Sequence, residues 1–300
     1  MKKIFKRLSL CALLTCWMPF PPALDAASVK SENPNADSVG YRLIWQDEFN
    51  VDGPLDPAHW DYEHGFVRNN EPQWYQKENA VCRDGRLEIT ARMEKAENPD
   101  FDPQSKDWRR NRKSAKYTSS SVMTRGLHEL LYGRMEVRAK IPVSDGAWPA
   151  IWCLGNKPDN GGWPACGEVD ILEFYDRSIL ANACWSGKDH RSVWDTEKIP
   201  FSHFTERDPD WADKYHVWRM DWDARSIRLY LDNELLNEID LNVTRQTIDD
   251  FCKVENPFRT PLYLILNLAL REPDGIDESK FPLTYCIDYV RFYEPVSRSR

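Results

Sequence analysis

One stretch, Trp163–Tyr175 (WPACGEVDILEFY), does most to limit what this chain can fold into. Its three carboxylates, Glu168, Asp170 and Glu173, sit among Val169, Ile171, Leu172 and Phe174. A run so rich in β-branched and aromatic residues favours a strand. Alternate side chains of a strand share a face, so Glu168 and Asp170 point the same way. Glu173 stands five residues beyond Glu168, and strict alternation would turn it to the opposite face. One extra residue near Ile171–Leu172, a β-bulge, returns it to the first face and leaves Val169 and a neighbour to fill the core.

The spacing has a chemical consequence. With the bulge, Glu168 and Glu173 lie roughly 13 Å apart along the backbone. Two glutamate arms leaning together would bring their carboxyls to about 5–6 Å, the separation used by retaining glycosidases. Asp170 lies between them and, as an anion, would raise the pKa of whichever glutamate carries the proton. The same pattern also fits a solvent-facing acidic strand, with Asp170 on a metal. The crowd of tryptophans around a buried-type strand favours catalysis.

At the start of the chain, Lys2, Lys3, Lys6 and Arg7 precede an apolar run from Leu8 to Phe20. This is the pattern of a secretory signal peptide over residues 1–26, with cleavage near Ala26 or Ala27. The run is too short to span a bilayer, and no later segment of about 20 apolar residues exists. A secreted or periplasmic protein is expected. Cys16 matches a lipid-anchoring site poorly. Loss of residues 1–26 removes four basic residues and Asp25, moving the net charge from −8 to −11. So acidic a chain repels nucleic acid. Six cysteines remain, Cys82, Cys153, Cys166, Cys184, Cys252 and Cys286, and none has zinc-ligand spacing in sequence. Their pairing does not follow from the sequence, and buried thiols are an alternative to disulfides.

Ala27–Gly40 is rich in Ser, Asn and Asp and reads as disordered, leaving 41–295 as one large domain. Strand patterns recur through it: Tyr41–Asn50, Arg86–Arg92, Thr118–Thr124, Gly133–Ile141, Ala147–Leu154, a hairpin over Tyr215–Leu231, Pro261–Leu270 and Tyr285–Glu294. In Gly133–Ile141, Met135, Val137, Ala139 and Ile141 face one way and Arg134, Glu136, Arg138 and Lys140 the other. Glu94–Lys116, with Arg109, Arg110, Arg112 and Lys113, reads as a solvated loop at a sheet rim, or as a contact for an acidic substrate. Helical periodicity is confined to Val243–Lys253. Eleven or so strands in one domain indicate an all-β sandwich of two antiparallel sheets.

Several words carry a family resemblance. They are DEFN at Asp47–Asn50, NNE at Asn69–Glu71, DGRLEITAR at Asp84–Arg92, YGRMEVRAKIP at Tyr132–Pro142, WPAIWCLG at Trp148–Gly155, GEVDILE at Gly167–Glu173 and IDYVRFY at Ile287–Tyr293. In this order they resemble glycoside hydrolase family 16, in its laminarinase-like branch, across nearly all of Leu43–Tyr293. The resemblance implies a concanavalin-like β-jelly roll with a concave substrate cleft and an endo-acting, retaining enzyme without a catalytic cofactor. It implies Glu168 as nucleophile, Asp170 as its helper and Glu173 as acid/base. It places Trp148, Trp152 and Trp163 at or near the cleft, where rings stack on sugars. Trp185, on the next strand, joins them as a candidate sugar contact. Trp45, Trp218 and Trp222 belong to core positions. Asn69, Asn70 and Glu71 are candidates for sugar hydroxyls, or else form a turn that Asn tolerates. Family members often bind a structural calcium, and Glu48, Gly85 and Asp288 match those positions; simple strand-end acids are the alternative. The six histidines share no ligand spacing and receive no role.

Two departures bear on substrate. Laminarinases usually carry histidines in the strand after the catalytic one; here Ile179–Gly187 has Leu180 and Cys184 at those places. The Gly-Gly that usually follows the Asn-Leu-Ala word is replaced by Leu270-Arg271-Glu272. The substrate is therefore expected to be a β-linked glycan, either poly-N-acetyllactosamine of mucin O-glycans, cut as an endo-β-1,4-galactosidase, or a β-1,3(4)-glucan, cut as a laminarinase. A monomer is expected. The competing class is a non-catalytic, lectin-like sandwich, against which three crowded acids argue.

Overall fold

The computed structural model describes residues 40–156, 160–272 and 275–296. The signal-peptide and most of the disordered-segment expectations fall outside these residues. Two eight-stranded sheets make up the fold. One runs from edge to edge as Glu234–Asp240, Ser226–Leu231, His216–Trp222, Gly133–Lys140, Leu283–Val296, Arg86–Ala91 and Ala80–Arg83, with Gly40–Asp47 paired alongside Leu283–Val296. The other runs as Ser192–Pro200, Ser178–Ser186, Glu168–Tyr175, Ala147–Gly155, Leu262–Leu270, Ser121–Met123 and Asp61–Tyr62, with Glu129–Leu130 added to Leu262–Leu270. Within both sheets the neighbouring strands pair antiparallel.

The interior follows from alternation. Met135, Val137 and Ala139 of the first sheet pack with Ile151, Cys153, Val169 and Ile171 of the second in one apolar cluster. Burial of this kind contributes about 25 cal/mol per Å² of apolar surface. Trp218 and Trp222 are buried as expected, while Trp45 packs against the cluster part-exposed. On the far face of Gly133–Lys140, Arg134 grips Asp221 with two hydrogen bonds of 2.6 and 2.9 Å. All six cysteines are buried thiols.

Three features differ from the sequence reading. The sheets hold more strands than eleven, because short or polar edge strands such as Ser192–Pro200, mostly solvent-facing, have no apolar alternation to reveal them. Val243–Lys253 forms no helix. The side chain of Gln246 instead ties this loop inward, donating to the Ala165 and Val254 carbonyls at 2.9 Å each. The basic cluster is largely solvated, with Arg109, Arg110 and Lys113 exposed, yet it also frames the 67–71 loop: Arg112 donates to the Glu71 carbonyl at 2.7 Å and to Asn70, and Arg109 to the Val67 carbonyl at 3.0 Å.

Gly167 leads into the acid-bearing strand with φ 76°, and a Cβ there would meet Pro257 Cβ at 2.7 Å. Both the left-handed backbone and the close approach demand glycine. Gly167→Ala is expected to cost about 1–3 kcal/mol. Urea unfolding checks this, and an unchanged midpoint would refute it.

Candidate active site

The bulge is present in Glu168–Tyr175. Against Ala147–Gly155 the pairs are Trp152 with Asp170 and Ile151 with Leu172, so Ile171 is the extra residue. Against Ser178–Ser186, Asp170 pairs with Asn182 and Glu173 with Leu180, two residues standing opposite Ala181. Ile171 and Leu172 both turn into the core, fully buried. Glu168, Asp170 and Glu173 thereby line one cleft, with Trp148, Trp152 and Asn69 among its walls.

Their hydrogen bonds form one network. Asn182 Nδ2 donates to Asp170 Oδ2 at 3.1 Å and to Glu173 Oε2 at 2.9 Å. Trp148 Nε1 donates to Glu173 Oε1 at 2.9 Å, and Trp163 Nε1 donates to Glu168 Oε2. Asp170 hydrogen-bonds Glu168 in turn. Burial, and then the charge of Glu168, push Glu173 up to about 7. Burial and the charges of Glu173 and Glu168 hold Asp170 well above the usual carboxylate range. Asp170 is 2% exposed between two carboxylates, which favours its protonated form over the anion expected from the sequence, and the charge that raises Glu173 is that of Glu168.

The other candidates divide. Trp148 lies against Tyr175, ring centroids 5.3 Å apart, with Arg271 over both rings. Trp163 is 46% exposed and neighbours Trp194, 44% exposed, at 6.5 Å. Trp152 lies deeper: its Nε1 donates to Asn267 at 2.7 Å and the Arg68 guanidinium covers its ring at 4.8 Å. Trp185 is a correction. Asn182 faces the acids, so Trp185, an odd number of residues further along the same strand, faces the core, where it is buried against Phe258. Asn69 and Asn70 take left-handed φ of 54° and 60°, the turn geometry weighed above. Asn69 reaches Glu71 at 3.2 Å and lines the cleft, whereas the Asn70 side-chain oxygen is taken by Arg112. Glu71 is buried, its carboxylate accepting from Gln73 at 2.7 Å, and burial raises its pKa.

In the expected calcium set the side chains of Glu48 and Asp288 are engaged by arginines, while Gly85 has only its backbone carbonyl to offer. Both oxygens of Glu48 accept from Arg291, at 2.7 and 3.0 Å, and Asp288 accepts from Arg138.

Sequence reading missed Arg68, Asn182 and Trp194. Arg68 pairs with Glu63 and lines the cleft, with its Nη1 buried and lacking a hydrogen-bond partner. Asn182 was legible, since pairing opposite Asp170 gives it the acids' face. Trp194 lies on the edge strand that no apolar alternation marks.

A two-sheet β-sandwich bearing a carboxylate trio on a tryptophan-walled face is a glycoside hydrolase. The chain belongs to glycosyl hydrolases family 16, whose pattern matches residues 69–289. It is 32% identical over 304 residues to glucan endo-1,3-beta-glucosidase A1 of Niallia circulans, covering 92% of this chain but 41% of that protein. It is 32% identical over 267 residues to a beta-glucanase of Rhodothermus marinus, with 84% of this chain and 85% of that protein covered. A keratan-sulfate endo-1,4-beta-galactosidase of Sphingobacterium multivorum is 28% identical, with 91% of this chain and 60% of that protein covered. Among solved structures, one described with endo-acting O-glycanases expressed by the human gut microbiota to initiate mucin breakdown superposes with a TM-score of 0.73 at 35% identity, covering 85% of this chain and 91% of that one. The laminarinase catalytic domain of Thermotoga maritima superposes at 0.68 and 30% identity, covering 86% and 99%.

The raised Asp170 has a stability consequence. Between the unfolded-state value near 4 and its higher native value, the fold keeps a proton that the unfolded chain has lost. Stability therefore falls as pH rises through that window. Asn at 170 can accept from Asn182 and donate to Glu168 without titrating. Asp170→Asn is expected to raise Tm by a few degrees at pH 8 and by little at pH 4. Equal shifts at both pH values in calorimetry would refute it.

Proposed function

We propose that the chain is an endo-acting, retaining β-glycoside hydrolase in which Glu168 is the nucleophile and Glu173 the acid/base. The observation that carries this is the bulge-assembled trio, with Glu173 pushed up to about 7. Protonated at rest, Glu173 gives its proton to the leaving glycosidic oxygen. Glu168 attacks the anomeric carbon and forms a glycosyl-enzyme. Glu173, now a base, takes a proton from the water that releases the sugar. Asp170 and Trp163 hold the Glu168 carboxylate by hydrogen bonds, and Asn182 keeps Asp170 and Glu173 in register.

Internal cleavage is supported by aromatic residues at both ends of the trio. Trp163 and Trp194 lie beside Glu168, and Trp148 and Tyr175 beside Glu173. Sugar rings stacked at both ends place the broken bond within a chain.

For the substrate we infer poly-N-acetyllactosamine of mucin O-glycans, cut at a β-1,4-galactosidic bond. Leu180 and Cys184 stand opposite Glu173 and Glu168, where laminarinases usually carry histidines. Arg271, in place of a glycine, lies 4.8 Å from the Tyr175 ring centroid and narrows the end beside Glu173. The likeness to an O-glycanase and to a keratan-sulfate endo-galactosidase supports the same reading. The glucanase relatives favour a second one, a β-1,3(4)-glucan. The residue 1–26 pattern supports export.

Mass spectrometry of products from mucin O-glycans, keratan sulfate and laminarin separates the two substrate readings. Oligosaccharides ending in reducing galactose are expected, and release from laminarin alone would overturn the first. Glu168→Ala is expected to bind glycan and lose at least 10³-fold in kcat; wild-type rates would defeat its role. NMR of the first-formed product should give the β-anomer. The kcat/KM profile should fall above pH about 7, as Glu173 loses the proton it must donate. A plateau to pH 9 would remove Glu173 as the acid.

A further inference from the structure

The sequence spacing gave the histidines no metal role, yet the fold gathers a donor set that spacing conceals. His190, Asp249 and Cys252 each present a ligand atom within 4.8 Å of the others. His190 stands on the turn after Ser178–Ser186, and the other two stand on the 245–253 loop. We propose that these three side chains form a binding site for a divalent transition metal of the zinc type, distinct from the carboxylate cleft.

The geometry is close to what such an ion requires. Cys252 Sγ lies 3.8 Å from His190 Nδ1. A tetrahedral zinc, with Zn–S about 2.3 Å and Zn–N about 2.1 Å, holds sulfur and nitrogen about 3.5 Å apart. Asp249 Oδ2 lies 3.5 Å from Nε2 of the same ring, and a turn of these two part-exposed side chains would bring the carboxylate onto the ion.

Both turns are held in shape by bonds that leave the donor atoms available. Asp249 Oδ1 accepts from the Phe251 and Cys252 backbone N–H groups at 2.8 Å each, which aims Oδ2 at the histidine. Asp249 N donates to the Cys252 carbonyl at 2.9 Å, closing the turn that carries both donors. His190 takes a left-handed φ of 58°, packs its ring on Phe251 at 4.7 Å, and belongs to a turn closed by Gly187 N donating to the Arg191 carbonyl at 2.7 Å. Cys252 is 2% exposed, so its sulfur meets the ion from the protein side while His190 and Asp249 meet it from the solvent side.

The donor chemistry selects the ion. One thiolate, one imidazole and one carboxylate suit zinc and its neighbours, with a fourth position left for water. Calcium needs six or more oxygens and finds one here. Binding would release the Cys252 proton to solvent as the thiolate forms. The ion would clasp the turn beside Trp194 to the loop whose Gln246 bonds Ala165 and the Ser186 amide.

The test uses the full chain, reduced and freed of metal, titrated with Co²⁺ and then Zn²⁺. Wild type is expected to bind one Co²⁺ with a thiolate-to-cobalt charge-transfer absorption that Zn²⁺ abolishes. Zinc at a hundredfold excess over Kd should raise Tm by roughly 5 °C, and calcium should not. Cys252→Ser should lose the absorption. His190→Ala, at an exposed position that leaves the fold intact, should weaken binding at least tenfold. Absence of the charge-transfer band in wild type, or an undiminished band in His190→Ala, would overturn the proposal.

Discussion

The site depends on one residue that pairs with nothing. Ile171 is the extra member of its strand, and because the bulge absorbs it, Glu173 stays on the side of Glu168 and Asp170. Were the ladder to run regularly through it, the Glu173 carboxylate would enter the apolar layer beside Val169 and Ile171, and Phe174 would face the cleft. Bulges disrupt a ladder locally, and this one is tolerated because Ile171 and Leu172 are both fully buried between the sheets. The core thus does two jobs: it holds the sandwich together and it enforces the irregularity that the chemistry needs.

Crowding three acids has an electrostatic cost that the same region moderates. Asn182 links two of them, tryptophan N–H groups donate to Glu168 and Glu173, and burial favours the uncharged form of Asp170. What remains is a graded set along one strand face, with Asp170 held well above the usual carboxylate range and Glu173 pushed up to about 7. Sites that hold such tension are less stable than they could be, and the tension is the source of their reactivity.

Much of this was legible in the sequence because parity is legible. The alternation in Gly133–Lys140, the bulge near Ile171 and the shared face of the acids all follow from a period of two. Trp185 shows the same rule neglected: counting from Asn182 would have sent it to the core. Other features were hidden for physical reasons. The edge strand Ser192–Pro200 buries little and so leaves no apolar signature. The Val243–Lys253 loop owes its path to Gln246, a long-range bond that helical periodicity cannot anticipate. Arg112 and the Glu48–Arg291 pair had their charges read as available, although each was already committed to partners distant in the chain.

The interior sulfurs carry one further meaning. All six cysteines of the domain are enclosed thiols, and among the described residues no covalent bridge ties one sheet to the other. The described part of the sandwich is held by packing and hydrogen bonds, without a covalent cross-link. Among the described residues its architecture therefore needs no oxidant to complete it, and a reductant should leave the folded domain unchanged.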